Sequence, residues 1–185
     1  MAPRPWKLIS THEEASYPIF NLRVDQAQSP RTDRLYDFYV LESADWVNVI
    51  PLTANNEVVL IRQYRHGLRE VTLEIPGGII EDSDSSVEAA RRELREETGY
   101  EASEMILMGD VHPNPAFLNN RCTTYLAKGV YPAGGQEQDD KEDIEILIKP
   151  LEDVPRLIRE GHITHSLVLA AFYRFYMEYL PGTAP

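Results

Sequence analysis

Three glutamates, Glu93, Glu96 and Glu97, stand close together in the run Arg92-Glu93-Leu94-Arg95-Glu96-Glu97-Thr98-Gly99-Tyr100. At i, i+3 and i+4 they fall on one face of a helix that turns every ~3.6 residues, where like charges repel unless something positive joins them. Clustered carboxylates suit hard cations such as Mg²⁺ or Mn²⁺, which take one or two carboxylates and leave other positions to water and phosphate oxygens. The plain alternative is a solvated face laced with pairs such as Glu88–Arg92 and Arg92–Glu96, the usual meaning of a charged helix. That alternative leaves the neighbouring residues unexplained. The stretch from Gly77 to Tyr100 gathers seven carboxylates and three arginines, and it opens on Gly77-Gly78, where glycine permits positive φ or close approach of backbone to a ligand.

Such a face needs a helix to carry it. Ser85 precedes Glu88 by the spacing of a capping box, Gly99 suits a C-terminal cap, and Val87, Ala90 and Leu94 form an apolar stripe, so a helix is predicted between Ser85 and Gly99. Ahead of Gly77 lie strand-like runs, LYDFYVLE, DWVNVIPL, EVVLIRQYR and VTLEIP, with Ala54-Asn55-Asn56 as a turn. After Gly99 come EMILMGDVH, RCTTYLAKGV and IEILIKPL as strands, then PRLIREG and HSLVLAAFYRFYMEYL as helices. The class read from this order is α+β.

The chain has 185 residues, enough for one sizeable core, and its 43% hydrophobic and 26% charged content is that of a globular protein, with order expected to fade at the Pro-rich ends MAPRP and PGTAP. A net charge of −12 argues against nucleic acid as a partner, because that binding draws on Lys and Arg neutralising phosphates. The longest apolar run, LVLAAFY, is far short of the ~18 residues that span a bilayer, so no membrane partner is expected. One cysteine, Cys122, excludes an internal disulfide framework; with no signal-type apolar region at the start, the expected location is the reducing cytoplasm. Cys122 and the five histidines show no nucleophile–base pattern, and a lone Cys in RCTTYLA reads as a core strand residue.

The acidic stretch resembles the signature of the Nudix hydrolases: a Gly (Gly78), five residues, an acid (Asp84, where the family usually has Glu), seven residues, then Arg-Glu-apolar-x-Glu-Glu-x-Gly-apolar from Arg92 to Tyr100. The resemblance implies a Nudix fold, a mixed β-sheet sandwiched between α-helices, and hydrolysis of a nucleoside diphosphate linked to a further group. It also implies that Glu93, Glu96 and Glu97 ligate Mg²⁺, with Mn²⁺ as a substitute, that the Gly77 carbonyl adds a ligand, and that Arg92 orients the glutamates.

The flanks VVLIRQYRHG and LEIPGG, with the later DIEI run, look like the branch that cleaves ADP-ribose and nucleoside diphosphate sugars. In that branch Arg65 would reach the substrate's diphosphate, against the alternative of a surface charge at a strand end. The water-activating carboxylate would come from the loop QEQDDKEDIEI. Register favours Asp140, whereas the longer side chain and the position before Asp143-Ile144 favour Glu142. Gly134-Gly135 would let that loop swing over bound substrate. The branch's relatives pair N-terminal sheets between two subunits, so residues 1–46 are expected to make a homodimer with an N-terminal antiparallel sheet extension, and residues 47–185 to be the hydrolase domain. Trp46 would offer a face for base stacking or lie half-buried in the dimer sheet. Asn119 and Asn120 would line the ribose side or serve as turn residues. The rival readings are another nucleotide substrate (a dinucleoside polyphosphate, NADH or coenzyme A) and a nucleotide-binding sensor without turnover; the intact glutamates favour an enzyme.

Overall fold

The computed structural model describes residues 2–138 and 140–179, so the PGTAP end lies outside the described residues. The chain divides into two units, Met1–Ala44 with His112–Arg121, and Asp45–Val111 with Cys122–Pro185.

The first unit is a three-stranded antiparallel sheet in the order β1 (Lys7–Tyr17), β2 (Phe20–Gln28), β3 (Leu35–Glu42). β1 and β2 lie ahead of Leu35, where the sequence predicts no strand. Their physical signature is weak: nearly every residue of KLISTHEEASY is exposed, and β2 buries only Val24 and Ala27, so no sharp alternation of buried and polar residues marks either. The segment 112–121 is tied to β3, with the Leu41 N–H donating to the Phe117 carbonyl at 2.8 Å and a parallel bridge between Leu41 and Leu118.

The second unit holds a seven-stranded mixed sheet. Its main path runs β10 (Glu145–Pro150), β5 (Glu57–Arg65), β4 (Trp46–Thr53), β9 (Cys122–Pro132), β8 (Tyr100–Val111), with β6 (Glu70–Glu74) on β5 and β7 (Gly77–Ile79) on β4. β4 and β9 are parallel; the other pairs are antiparallel. Period-two alternation in the central strands feeds two cores. Val47, Val49 and Val59 pack with Ala89, Ala90 and Leu94 of α1 (Ser86–Thr98) on one face. Ile50, Val58 and Leu60 pack with Val154 and Leu157 of α2 (Val154–Arg159) and Val168, Phe172 and Phe175 of α3 (Ser166–Glu178) on the other. This is the α+β sandwich expected from the sequence. Gly77–Ile79, read from the sequence only as a link between strand and helix, is a short strand whose Gly77 and Gly78 pair with Asn48 and Val47.

Candidate active site

Helix α1 carries the acids because both its ends are fixed. Ser85 accepts from the Glu88 N–H, and the Glu88 carboxylate accepts from the Ser85 N–H at 2.9 Å, completing the capping box. At the other end Gly99 has φ +70, and its N–H donates to the Arg95 carbonyl at 2.7 Å. A Cβ there would come within 2.5 Å of the Gly134 carbonyl oxygen, so glycine is needed for contact as well as conformation.

Between these caps, one turn of α1 presses two carboxyls onto β7. Glu97 is 3% exposed and accepts from the Gly77 N–H at 2.9 Å. Glu93 is also buried, so close to Gly78 that a Cβ on that residue would stand 2.5 Å from the carboxylate. Gly78 therefore serves to admit Glu93. Burial pushes the Glu97 carboxyl up to about 9; the Gly77 N–H opposes that, while the charges of Glu93 and Glu142 add to it. Glu93 is likewise raised, first by burial, with Arg92 opposing and Glu96 and Glu142 adding. Glu96, expected to share their face equally, has the more exposed side chain and pairs with Arg92 at 3.1 Å.

Arg92 is the hub of this cluster. Its guanidinium donates to Asp84 at 3.1 Å, Glu93 at 2.8 Å, Glu96 at 3.1 Å and the Ile79 carbonyl at 3.0 Å. Burial lowers its pKa, but the hydrogen bonds and charges of these acids leave it raised, so it is a permanent cation. Asp84 thus meets Arg92 on its shorter stem, and Glu88, which the alternative of a solvated face paired with Arg92, is occupied in the cap.

Beside β7 lies a cleft of about 430 Å³ bounded by Trp46, Asn48, Arg65, Glu74, Gly78 and His165. Arg65 is neither a loose surface charge nor a dangling arm. Nε and Nη2 form a bidentate pair with Glu74 at 2.8 and 2.6 Å, and the Thr72 hydroxyl donates to the same carboxylate at 2.6 Å. Burial raises the Glu74 pKa, yet these donors outweigh it and leave Glu74 ionised below its ordinary range. His165 caps α3, its Nδ1 accepting from the Leu167 N–H at 3.2 Å, which leaves the proton on Nε2. Burial lowers its pKa, so the ring is neutral at pH 7. Asn48 donates to the Leu167 carbonyl at 3.3 Å. Cys122 also lines the cleft, but burial pushes its thiol up to about 12, so it is no nucleophile.

Asn119 and Asn120 hold backbone within the first unit: Asn119 Oδ1 accepts from the Ser43 N–H at 3.1 Å, and Asn120 Nδ2 donates to the Ala44 carbonyl at 3.0 Å. In the acidic loop, Asp140 lies in the turn at 140–141, and Glu142 is the residue whose charge acts on both Glu93 and Glu97. Around Gly134-Gly135 the loop meets the end of α1: the N–H groups of Ala133 and Gly134 donate to the Gly99 carbonyl and that of Glu137 to the Glu96 carbonyl.

The cluster fits a hard divalent cation. Burial raises both carboxyls, the charge of Glu142 adds to both shifts and that of Glu93 to the shift of Glu97, and carboxylate oxygens are the right kind of donor for such a cation. Among the described residues no three His, Cys, Asp or Glu side chains already form a closed cage; a cation that binds by one or two carboxylates and substrate oxygens needs none. Sequence reasoning missed Glu74, Thr72 and His165. The signal available for Glu74 was an acid set between Leu73 and Ile75, just before Pro76-Gly77-Gly78.

Comparison with known proteins agrees with this geometry. A family model described as the NUDIX domain matches residues 43–172. The chain is 30% identical over 168 residues to a methanol dehydrogenase activator of Bacillus methanolicus, covering 89% of both chains. It is 28% identical to an ADP-ribose pyrophosphatase of Mycobacterium tuberculosis, covering 92% of this chain and 83% of that one. A crystal structure of an ADP compounds hydrolase superposes with a TM-score of 0.84 over 100% of this chain and 98% of that one at 20% identity, which shows the shared fold. With the signature acids gathered on α1 and the domain match spanning most of its length, the chain belongs to the Nudix hydrolase family, whose members generally use divalent metal ions.

Proposed function

We propose that this protein hydrolyses the pyrophosphate bond of ADP-ribose or a related nucleoside diphosphate sugar, giving a nucleoside monophosphate and a sugar phosphate. The observation that carries the reading is the pair Glu93 and Glu97, buried together against Gly77-Gly78 at the edge of the cleft. The similarity to a mycobacterial ADP-ribose pyrophosphatase supports the substrate class. Glu93, Glu97 and the Gly77 carbonyl, with Glu96 joining by exchange from Arg92, would hold Mg²⁺ or Mn²⁺. Bound there, the cation supplies charge neutralisation at the diphosphate and lowers the pKa of its water.

The chain's own residues do the rest. Arg92 keeps Glu93 in place, Arg65 presents the remaining edge of its guanidinium to the cleft, and Glu142 accepts the proton of the attacking water. Neutral His165 offers Nε2–H as a donor that adds no charge. Trp46 lines the cleft and provides the face on which a base stacks. The working form is a homodimer through the N-terminal sheet, which buries little of its own and exposes Leu8, Ile9, Leu35, Phe38 and Tyr39. A negatively charged, disulfide-free chain of this kind works in the cytoplasm on small nucleotides, not on nucleic acid.

Incubation of the protein and Mg²⁺ with ADP-ribose, ADP-glucose, GDP-mannose, UDP-glucose, NADH and diadenosine polyphosphates, with chromatography of the products, tests the reading. Fastest turnover of ADP-ribose or a nucleotide sugar upholds it. Fastest turnover of NADH or a polyphosphate moves the substrate class, and binding without turnover makes the protein a sensor.

A further inference from the structure

The loop that carries Glu142 is tied to the metal-site helix by one amide. Gln136 uses both hydrogens of its side-chain NH₂, donating to the carbonyl of Glu97 at 2.6 Å and to the carbonyl of Ile144 at 3.1 Å. The first acceptor is one of the carbonyls that a helix leaves unpaired in its last turn, here on the backbone of a candidate metal ligand. The second lies two residues beyond Glu142, immediately before β10. Gln138 closes the other side: its Nε2 donates to the same Ile144 carbonyl at 3.0 Å, and its Oε1 accepts from the Ile144 N–H at 3.2 Å. The residues on either side of Gln136 are also fixed to the end of α1: Ala133 and Gly134 donate to the Gly99 carbonyl, and Glu137 donates to the Glu96 carbonyl and pairs with Arg95 at 2.9 Å.

We propose that Gln136 is a positioning residue for the hydrolytic step, holding Glu142 at a set distance from Glu93 and Glu97 by clamping the end of α1 to the start of β10. The role rests on the reading of Glu142 as the group that takes the water's proton. A general base acts only within hydrogen-bond reach of its proton, so a displacement of about 1 Å costs turnover without costing substrate affinity. Asn, one methylene shorter, does not span both carbonyls. Glu in place of Gln sets a carboxylate against two carbonyl oxygens.

The test is a double-mutant cycle in the full chain with Mg²⁺ and the best substrate of the panel, reading kcat and KM separately. Gln136→Ala and Gln136→Glu are expected to lower kcat tenfold or more with KM within about threefold of the parent. In the Glu142→Gln background, Gln136→Ala is expected to add less than a further twofold loss, because a residue acting through another has nothing left to position. Parental kcat in Gln136→Ala, or losses that multiply in the double variant, would overturn the proposal while leaving Glu142 as the base. Near-parental kcat in Glu142→Gln alone would overturn the assignment of the base, and the role of Gln136 with it.

Discussion

Arg92 and Arg65 solve the same electrostatic problem in different places. Each opposes the effect of burial on a carboxylate: Arg92 on Glu93, and Arg65 on Glu74. Removing one partner of such a pair leaves the other stranded, and the stranded member decides the cost. Glu74 is 2% exposed, while the Arg65 side chain is 39% exposed. Arg65→Ala is therefore expected to destabilise the fold more than Glu74→Gln does, by about 1–3 kcal/mol after allowance for screening at the exposed arginine, and so to give the lower thermal midpoint. Calorimetry of the two variants checks the order; equal midpoints would contradict it. Cys122 gives a second residue-scale expectation. With its thiol pushed up to about 12, the folded protein holds it protonated through the range in which a free thiol ionises. Iodoacetamide at pH 8.5 should label it far more slowly than the unfolded chain, the rate rising as pH climbs toward that value. The same shift stabilises the fold below the ordinary thiol pKa and is lost as pH rises through the folded one.

Among the elements, α1 was legible because its instructions are local. Ser85, Glu88 and Gly99 specify caps within a few residues, and the apolar stripe specifies the buried face. β5 and β9 were legible because Val58–Ile61 and Tyr125–Ala127 are buried runs in a central sheet. β1, β2 and β7 were not: the first two lie in a sheet with almost no buried side, and β7 is a strand only because β4 stands beside Gly77–Ile79. The pairing of Arg65 with Glu74 was not legible either, because in the β5–β6 register Arg65 lies opposite Glu70 and Glu74 opposite Ile61, so the two are not cross-strand partners. At the Gly99 cap, Gly99→Ala meets both a left-handed φ and the Gly134 oxygen, so it is expected to cost more than about 1 kcal/mol, where Ser85→Ala costs about that much. Chemical denaturation of both variants measures the difference. Equal costs would mean that the loop limb shifts away from Gly99 freely.

For the whole molecule, metal-ligand types and their spacing were written in one contiguous segment, so the family and the metal-site acids could be read directly. What the sequence held back was the division of labour among them: Glu93 and Glu97 go under β7, Glu96 to Arg92, and the loop is fixed by glutamines that carry no charge to attract notice. The N-terminal sheet sets the prediction for assembly. Light scattering at micromolar concentration should give about twice the 21.1 kDa chain mass; a monomer would contradict the dimer, and substitution of Phe38 and Tyr39 by Asp should split it. Glu97 offers the most direct test of the metal site. After chelation and re-addition of Mg²⁺, the parent protein should convert ADP-ribose to AMP and ribose phosphate, while Glu97→Gln, folded to the same circular dichroism spectrum, should lose at least about a hundredfold in kcat. Turnover by Glu97→Gln within a few-fold of the parent, or turnover by the parent that survives chelation, would contradict the central claim that the buried glutamates of α1 hold the metal that drives hydrolysis.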